Sequence, residues 1–150
     1  MECKFNFTGK YTFTIDAKHR LFMPADHREE LGLGFFVSIS MKDPCLRVYP
    51  KEVFVGLMNE LYAIENKSEE LQDTISFINN ESSAGKLDSQ GRVVIPDNLV
   101  SFAELEKNIM IVGCGNYFEI WSAEIYNAIV AAKMEEKRRM AREVFKMVGI

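Results

Sequence analysis

The chain has 150 residues, 47% of them hydrophobic and 27% charged, the balance of one compact domain or two small fused ones. Its longest apolar runs, such as Phe35-Phe36-Val37 and Ile109-Met110-Ile111-Val112, fall far short of the roughly 18 residues of a membrane span, and Met1-Glu2-Cys3-Lys4 leads into no apolar signal segment, so a cytoplasmic location is expected. A net charge of −4, from 18 Lys and Arg against 22 Asp and Glu, counts against nucleic-acid binding by the surface as a whole and leaves it to local charge on one face.

The first predicted element is a half-buried strand, in which Tyr11, Phe13 and Ile15 alternate with Thr12 and Thr14. The segment Asp16-Ala17-Lys18-His19-Arg20 turns the chain into a short apolar strand, Leu21-Phe22-Met23. That strand stops at Pro24, which cannot donate to a ladder. A short polar helix over Ala25–Leu31 follows, then strands over Phe35–Ser40 and Leu46–Tyr49 around the turn Asp43-Pro44. Val53, Phe54, Leu57, Leu61 and Ile64 form one apolar stripe at helical spacing. A further helix, about Ser68–Asn79, places Leu71, Ile75 and Ile78 on one face, and Asn79-Asn80-Glu81-Ser82-Ser83 reads as a linker.

The same grammar then returns. Leu87–Pro96 matches Ile15–Pro24, with Asp88 and Arg92 in the places of Asp16 and Arg20, at an offset of 72. That offset also carries Val37 and Ile39 onto Ile109 and Ile111, and Leu46–Tyr49 onto Phe118–Trp121. Three blocks in one register without a gap indicate two copies of one unit. The second copy predicts a helix over Asp97–Ala103, strands over Asn108–Val112 and Phe118–Trp121, and the turn Gly113-Cys114-Gly115-Asn116 between them. A helix capped by Ser122 follows, with Ile125, Ile129 and Val130 starting its stripe. This helix is expected to run on through Lys133–Met147, where Lys137, Arg138, Arg139, Arg142 and Lys146 mix with Met140, Val144 and Met147.

A unit this small cannot bury enough apolar surface alone, so the copies are expected to share a core, with Tyr49 and Trp121 as equivalent core or interface anchors. The fold class is α+β and β-rich. The division is a first repeat at 8–64, a linking helix at 65–82, a second repeat at 83–134 and a C-terminal helix extension at 135–150.

The paired Asp-x-x-x-Arg segments, each followed by an apolar triplet and Pro, resemble the MraZ family. The resemblance runs from about Thr8 to Glu135 through Gly9-Lys10-Tyr11, Asp16–Pro24, Leu46–Pro50, Asp88–Pro96 and Glu119–Ser122. It implies a double AbrB-like (SpoVT) swapped-hairpin fold and ring-shaped homo-oligomers. It also implies binding to double-stranded DNA at short G-rich direct repeats upstream of the protein's own division and cell-wall operon, with repression and a nucleoid-associated location. His19 stands where the family has a glycine, which the second copy keeps as Gly91. Gln90 stands where the family has a lysine, which the first copy keeps as Lys18.

The candidate DNA-binding residues are Arg20, Arg92, Lys18, Gln90, His19 and Arg28. A guanidinium fork suits phosphate oxygens or the O6/N7 edge of guanine. The competing reading of Arg20 and Arg92 is an ion pair with Asp16 or Asp88 that pins the turn. Duplication together with the resemblance favours DNA contact for the arginines, while Asp16, Asp88 and Gly91 are assigned to shaping the loop. Lys18 suits a phosphate, Gln90 an adenine edge, and His19 a phosphate when protonated. Arg28, close to the first loop in sequence, extends the basic face. Lys10 and Lys86 flank the loops, and the basic C-terminal run reads first as a solvated face that packs its apolar residues on a neighbouring subunit.

An enzyme is disfavoured. Two histidines, His19 and His27, supply a triad poorly, and Gly113-Cys114-Gly115 lacks the Lys-Ser/Thr of a phosphate loop. Cys3, Cys45 and Cys114 are odd in number without a C-x-x-C pair, so plain thiols are expected, with no metal, cofactor or small-molecule ligand. The remaining rivals are a ring-forming protein-interaction module without DNA and an AbrB-type antitoxin. The duplication disfavours the antitoxin.

Overall fold

The computed structural model describes residues 4–32 and 34–150; Met1–Cys3, and with them the first of the three thiols, lie outside the described residues. The strands are β1 (Lys10–Thr14), β2 (Arg20–Phe22), β3 (Phe35–Ile39), β4 (Leu46–Pro50), β5 (Ser83–Gly85), β6 (Arg92–Val94), β7 (Asn108–Gly113) and β8 (Phe118–Ser122). The helices are α1 (Ala25–Leu31), α2 (Lys51–Tyr62), α3 (Glu69–Asn80), α4 (Asp97–Phe102), α5 (Ala123–Ile129) and α6 (Met134–Met147). The fold is α+β, and its sheets are antiparallel.

Six strands form one sheet in the order β1-β7-β8-β4-β3-β5, and β2 pairs with β6 as a separate two-stranded ribbon. The leading strand of each copy joins the other copy's hairpin: β1 adds to β7 and β5 adds to β3. The order therefore reads the same from both edges once the copies are interchanged. The axis of this pseudo-symmetry passes between Arg47 and Glu119 on β4 and β8, and between Leu21 and Val93 on β2 and β6.

One expectation is corrected by the register. Val37 faces Val48 and Ser83, while Ile111 faces Ile120 and Tyr11. Val37 thus corresponds to Ile111, not to Ile109, and the middle block is displaced by two residues from the offset that holds on either side. The second copy has a longer lead from Pro96 to β7 and a shorter β7–β8 connection. The slip is even, so the same faces stay inward.

The central core draws on both copies, with Leu21, Met23, Leu46, Ile95, Leu99 and Ile120 fully buried. Tyr49 anchors a second cluster with Phe54, Met58, Ile75 and Ile78 from α2 and α3. Trp121 anchors a third with Cys45 and Tyr126. The α2 stripe differs from expectation: Phe54 and Met58 are its buried pair, whereas Leu57 and Ile64 are exposed and Ile64 lies beyond the helix. The linker is also shorter, because Asn79 and Asn80 finish α3 and Ser83 opens β5. Asn79 Nδ2 donates to the Ile75 carbonyl within the last turn, the local bonding that suits asparagine to a helix end.

Ser122 caps α5, its Oγ accepting from the Ile125 N–H at 3.4 Å. The helix does not run on as expected. It is interrupted after Ile129 by a 3-10 turn over Ala131–Lys133 before α6 begins. Ile125, Ile129 and Val130 pack on the Trp121 cluster, and every residue from Ala131 onward is exposed. The packing that holds the first segment ends where the break occurs. Among the described residues no helix is long and apolar enough to cross a membrane.

Candidate nucleic-acid interface

The two Asp-x-x-x-Arg segments fold into matching loops. Asp16 Oδ1 accepts the N–H groups of Lys18 and Arg20 at 2.9 and 2.8 Å, and Oδ2 accepts Arg20 Nε at 2.6 Å. Asp88 repeats this with the N–H groups of Gln90 and Arg92 and with Arg92 Nε, each at 2.9 Å. An aspartate two residues before a backbone donor makes a turn of its own side chain. Both carboxyl groups are held below the usual aspartate pKa, first by the backbone N–H of the loop arginine and further by its guanidinium.

Each loop closes with a left-handed residue, His19 at φ 59° and Gly91 at φ 80°. Glycine adopts this conformation freely, and histidine is among the side chains that visit it. The closing residue is tied to the other copy: the His19 carbonyl accepts Ile95 N–H at 2.8 Å, and the Gly91 carbonyl accepts Met23 N–H at 3.1 Å. The loops therefore stand at opposite ends of the β2–β6 ribbon, each braced by the opposite repeat.

The ion pairs Arg20–Asp16 and Arg92–Asp88 exist in this chain, and both run through Nε. Among the described residues the Nη atoms of neither arginine hydrogen-bond to protein, so their donors are left unpaired within the fold. The arginine side chains are 34% and 19% exposed. A carboxylate that clamps Nε also fixes the direction of the fork, so pinning the loop and presenting the arginine are one arrangement.

The ends of the ribbon differ. At the first loop, His19 Nδ1 lies 3.0 Å from Asp97 Oδ1, so an acidic group faces the closing residue. At the second, Arg28 lies over Gly91, where an added Cβ would sit 2.4 Å from Arg28 Cζ. Arg28 Nε donates to the Met23 carbonyl at 2.9 Å. Arg28 thus belongs with the loop of the other repeat rather than with the loop nearest in sequence. The cause is β2, which carries the chain along the ribbon before α1 begins. Asp97, which faces His19, went unread in the sequence because nothing in a linear pattern says what crosses a ribbon. Lys18 and Gln90 are exposed at the loop tips. Lys86 is exposed beside the second loop, whereas Lys10 Nζ lies 5.3 Å over the Tyr126 ring on α5.

His27 is buried among Phe7, Tyr11 and Phe118, with ring centroids about 5 Å away. Burial lowers its pKa, against smaller opposing effects of Glu30 and Asp26. The Cys114 thiol is pushed up to about 12, chiefly by burial, and donates to the Val112 carbonyl, which is the opposite of nucleophile activation. No group of three or more His, Cys, Asp or Glu side chains among the described residues is placed to hold a metal.

Comparison with known proteins returns the same two-part organisation. The profile of the MraZ protein family, described as antitoxin-like, matches residues 6–77 and 80–145, one loop in each segment. A protein of Carboxydothermus hydrogenoformans named transcriptional regulator MraZ is 36% identical over 121 residues, covering 81% of this chain and 84% of its own. The protein of that name in Heliobacterium modesticaldum is 39% identical over 133 residues, covering 87% and 92%. In Desulfitobacterium hafniense the match is 35% identical over 144 residues, covering 96% and 99%.

Proposed function

Since the chain belongs to the MraZ family, we propose that it is a transcriptional regulator that binds double-stranded DNA through the loops of Arg20 and Arg92. The observation that carries this reading is the duplicated fork: two arginines, each clamped at Nε by an aspartate, at the two ends of one ribbon. Lys18 and Gln90 add a phosphate contact and a base-edge contact from the loop tips, His19 a further phosphate contact, and Arg28 joins Arg92 at the second loop. The targets are short direct repeats upstream of the protein's own division and cell-wall operon, and the effect is repression, in the cytoplasm and at the nucleoid. A homo-oligomeric ring arrays many such loops, so avidity rather than any single contact sets affinity. The curated relatives carry a regulator's name rather than an enzyme's, in keeping with a non-catalytic role.

A second reading, a protein-interaction module without DNA, is favoured by one observation: α6 leaves Met140, Val144, Phe145 and Met147 exposed on a single chain. Fluorescence anisotropy on the upstream DNA at two salt concentrations separates the two. The DNA reading expects binding that weakens steeply with salt, through counterion release, and that an Arg20→Ala/Arg92→Ala variant loses while still assembling. A well-folded oligomer that binds no DNA at low salt refutes it.

A further inference from the structure

Antiparallel pairing places Arg20 directly opposite Val94 and Phe22 directly opposite Arg92. Alternation along the strands sends Leu21 and Val93 into the core, 0% and 2% exposed, and turns the other four side chains outward. The outer face of the ribbon is therefore a patch of two cations and two apolar groups on crossing diagonals. Phe22 is 39% exposed and Val94 60%, and Arg92 Cζ lies 5.8 Å from the Phe22 ring. Phe22 and Val94 are the same position of the two repeats, so a partly exposed apolar side chain stands twice on this outer face.

A lone exposed apolar side chain is ordinary. Two of them at symmetric places beside the two arginines that would meet DNA call for a partner with an apolar feature. A two-stranded ribbon fits the major groove, and there the one apolar group on any base edge is the C5 methyl of thymine. Phosphates and sugar oxygens offer Phe22 and Val94 nothing. We propose that Phe22 and Val94 read sequence by packing on thymine 5-methyl groups next to the bases contacted by the arginines. This rests on the DNA-binding reading of the loops and goes beyond it by assigning base identity to two residues that carry no charge or hydrogen-bonding group.

The test compares two synthetic duplexes of the upstream DNA, one natural and one with deoxyuridine in place of every thymidine, which removes only the methyl groups. Anisotropy titrations use the full-length protein and a Phe22→Ser/Val94→Ser variant, with assembly followed by sedimentation. The expected result is a loss of about four-fold in affinity per contacted methyl for the unmodified protein on the uracil duplex. The variant binds both duplexes alike, with an unchanged salt slope. Equal binding of the two duplexes by the unmodified protein overturns the inference while leaving DNA binding intact, and this arm needs no variant. Thymine discrimination that survives in the variant overturns it as well, and a simultaneous loss of assembly assigns the face to subunit packing. Failure of the unmodified protein to bind either duplex at low salt removes the DNA reading and the inference together.

Discussion

Arg47 and Glu119 hold the same position in the two repeats and face each other across the β4–β8 ladder, with 3.5 Å between Nε and Oε2. The contact is coulombic rather than a hydrogen bond, since Arg47 Nε is buried without a hydrogen-bonding partner among the described residues. The neighbours complete the arrangement. Trp121 Nε1 donates to Glu119 Oε1 at 3.0 Å, Arg47 Nη1 donates to the Tyr49 hydroxyl at 3.4 Å, and the guanidinium lies 4.3 Å over the Tyr117 ring. Were the first repeat to pair with another first repeat in the same way, Arg47 would meet Arg47. Divergence on the axis makes the two copies complementary to each other and repulsive to themselves.

Charge reversal tests that complementarity. Arg47→Glu or Glu119→Arg alone is expected to cost about 3–5 kcal/mol, because each leaves a largely buried like-charge pair. The exchanged double variant is expected to recover most of the loss. Urea melts of the four proteins give the coupling directly, and additive losses would mean that the pair contributes nothing through its charge.

The second loop depends on the missing side chain of Gly91. Gly91→Ala must place a Cβ in the space of Arg28 and hold alanine at positive φ. The expected cost is about 1–3 kcal/mol in thermal melts, with a displaced Arg28. His19→Gly is expected to move stability in the opposite direction, by about 0.5–1 kcal/mol. No gain from His19→Gly would show that the contact with Asp97 outweighs the backbone strain.

His27 makes stability depend on pH. Its pKa in the fold lies below the ordinary value of 6.5. The unfolded chain therefore takes up the proton first as pH falls. The contribution is complete above about pH 7, declines once pH drops through 6.5 and is lost through the folded pKa. His27→Phe is expected to flatten the urea midpoint across pH 7 to 5. A slope unchanged by the substitution would place the titrating group elsewhere.

Array binding predicts unequal costs for one arginine. Arg92→Ala should lose about ten-fold on a duplex with one repeat and far more on a duplex with several, because each lost contact recurs at every occupied repeat. Equal losses on the two duplexes would refute binding by array.

The elements were legible in the sequence because periodicity reports which face of a segment is buried. It does not report which strand lies alongside. The alternation of Tyr11 and Phe13 marks β1 as a half-buried strand equally well whether it joins its own hairpin or, as it does, β7 of the other repeat. The two-residue displacement of Val37 and Ile111 was hidden for a similar reason, since an even slip leaves every inward residue inward. At the loops, the Asp-x-x-x-Arg spacing carried the turn and its internal bonds. The cover of Gly91 by Arg28 and the approach of Asp97 to His19 depend on the ribbon between them, which is a long-range pairing.

The exchange of leading strands sets the order in which the protein can be made. As the chain leaves the ribosome, β1 emerges early and has no edge to join until β7, from the far half, has followed it. The β3–β4 hairpin of the first half likewise lacks its third strand until β5 emerges, and β4 keeps an open edge until β8 follows. Such high contact order favours slow folding and leaves a nascent chain that can pair with its neighbours on the same message. The architecture that ties the halves together in the finished protein thus gives crowded, partly synthesised copies a route into one another.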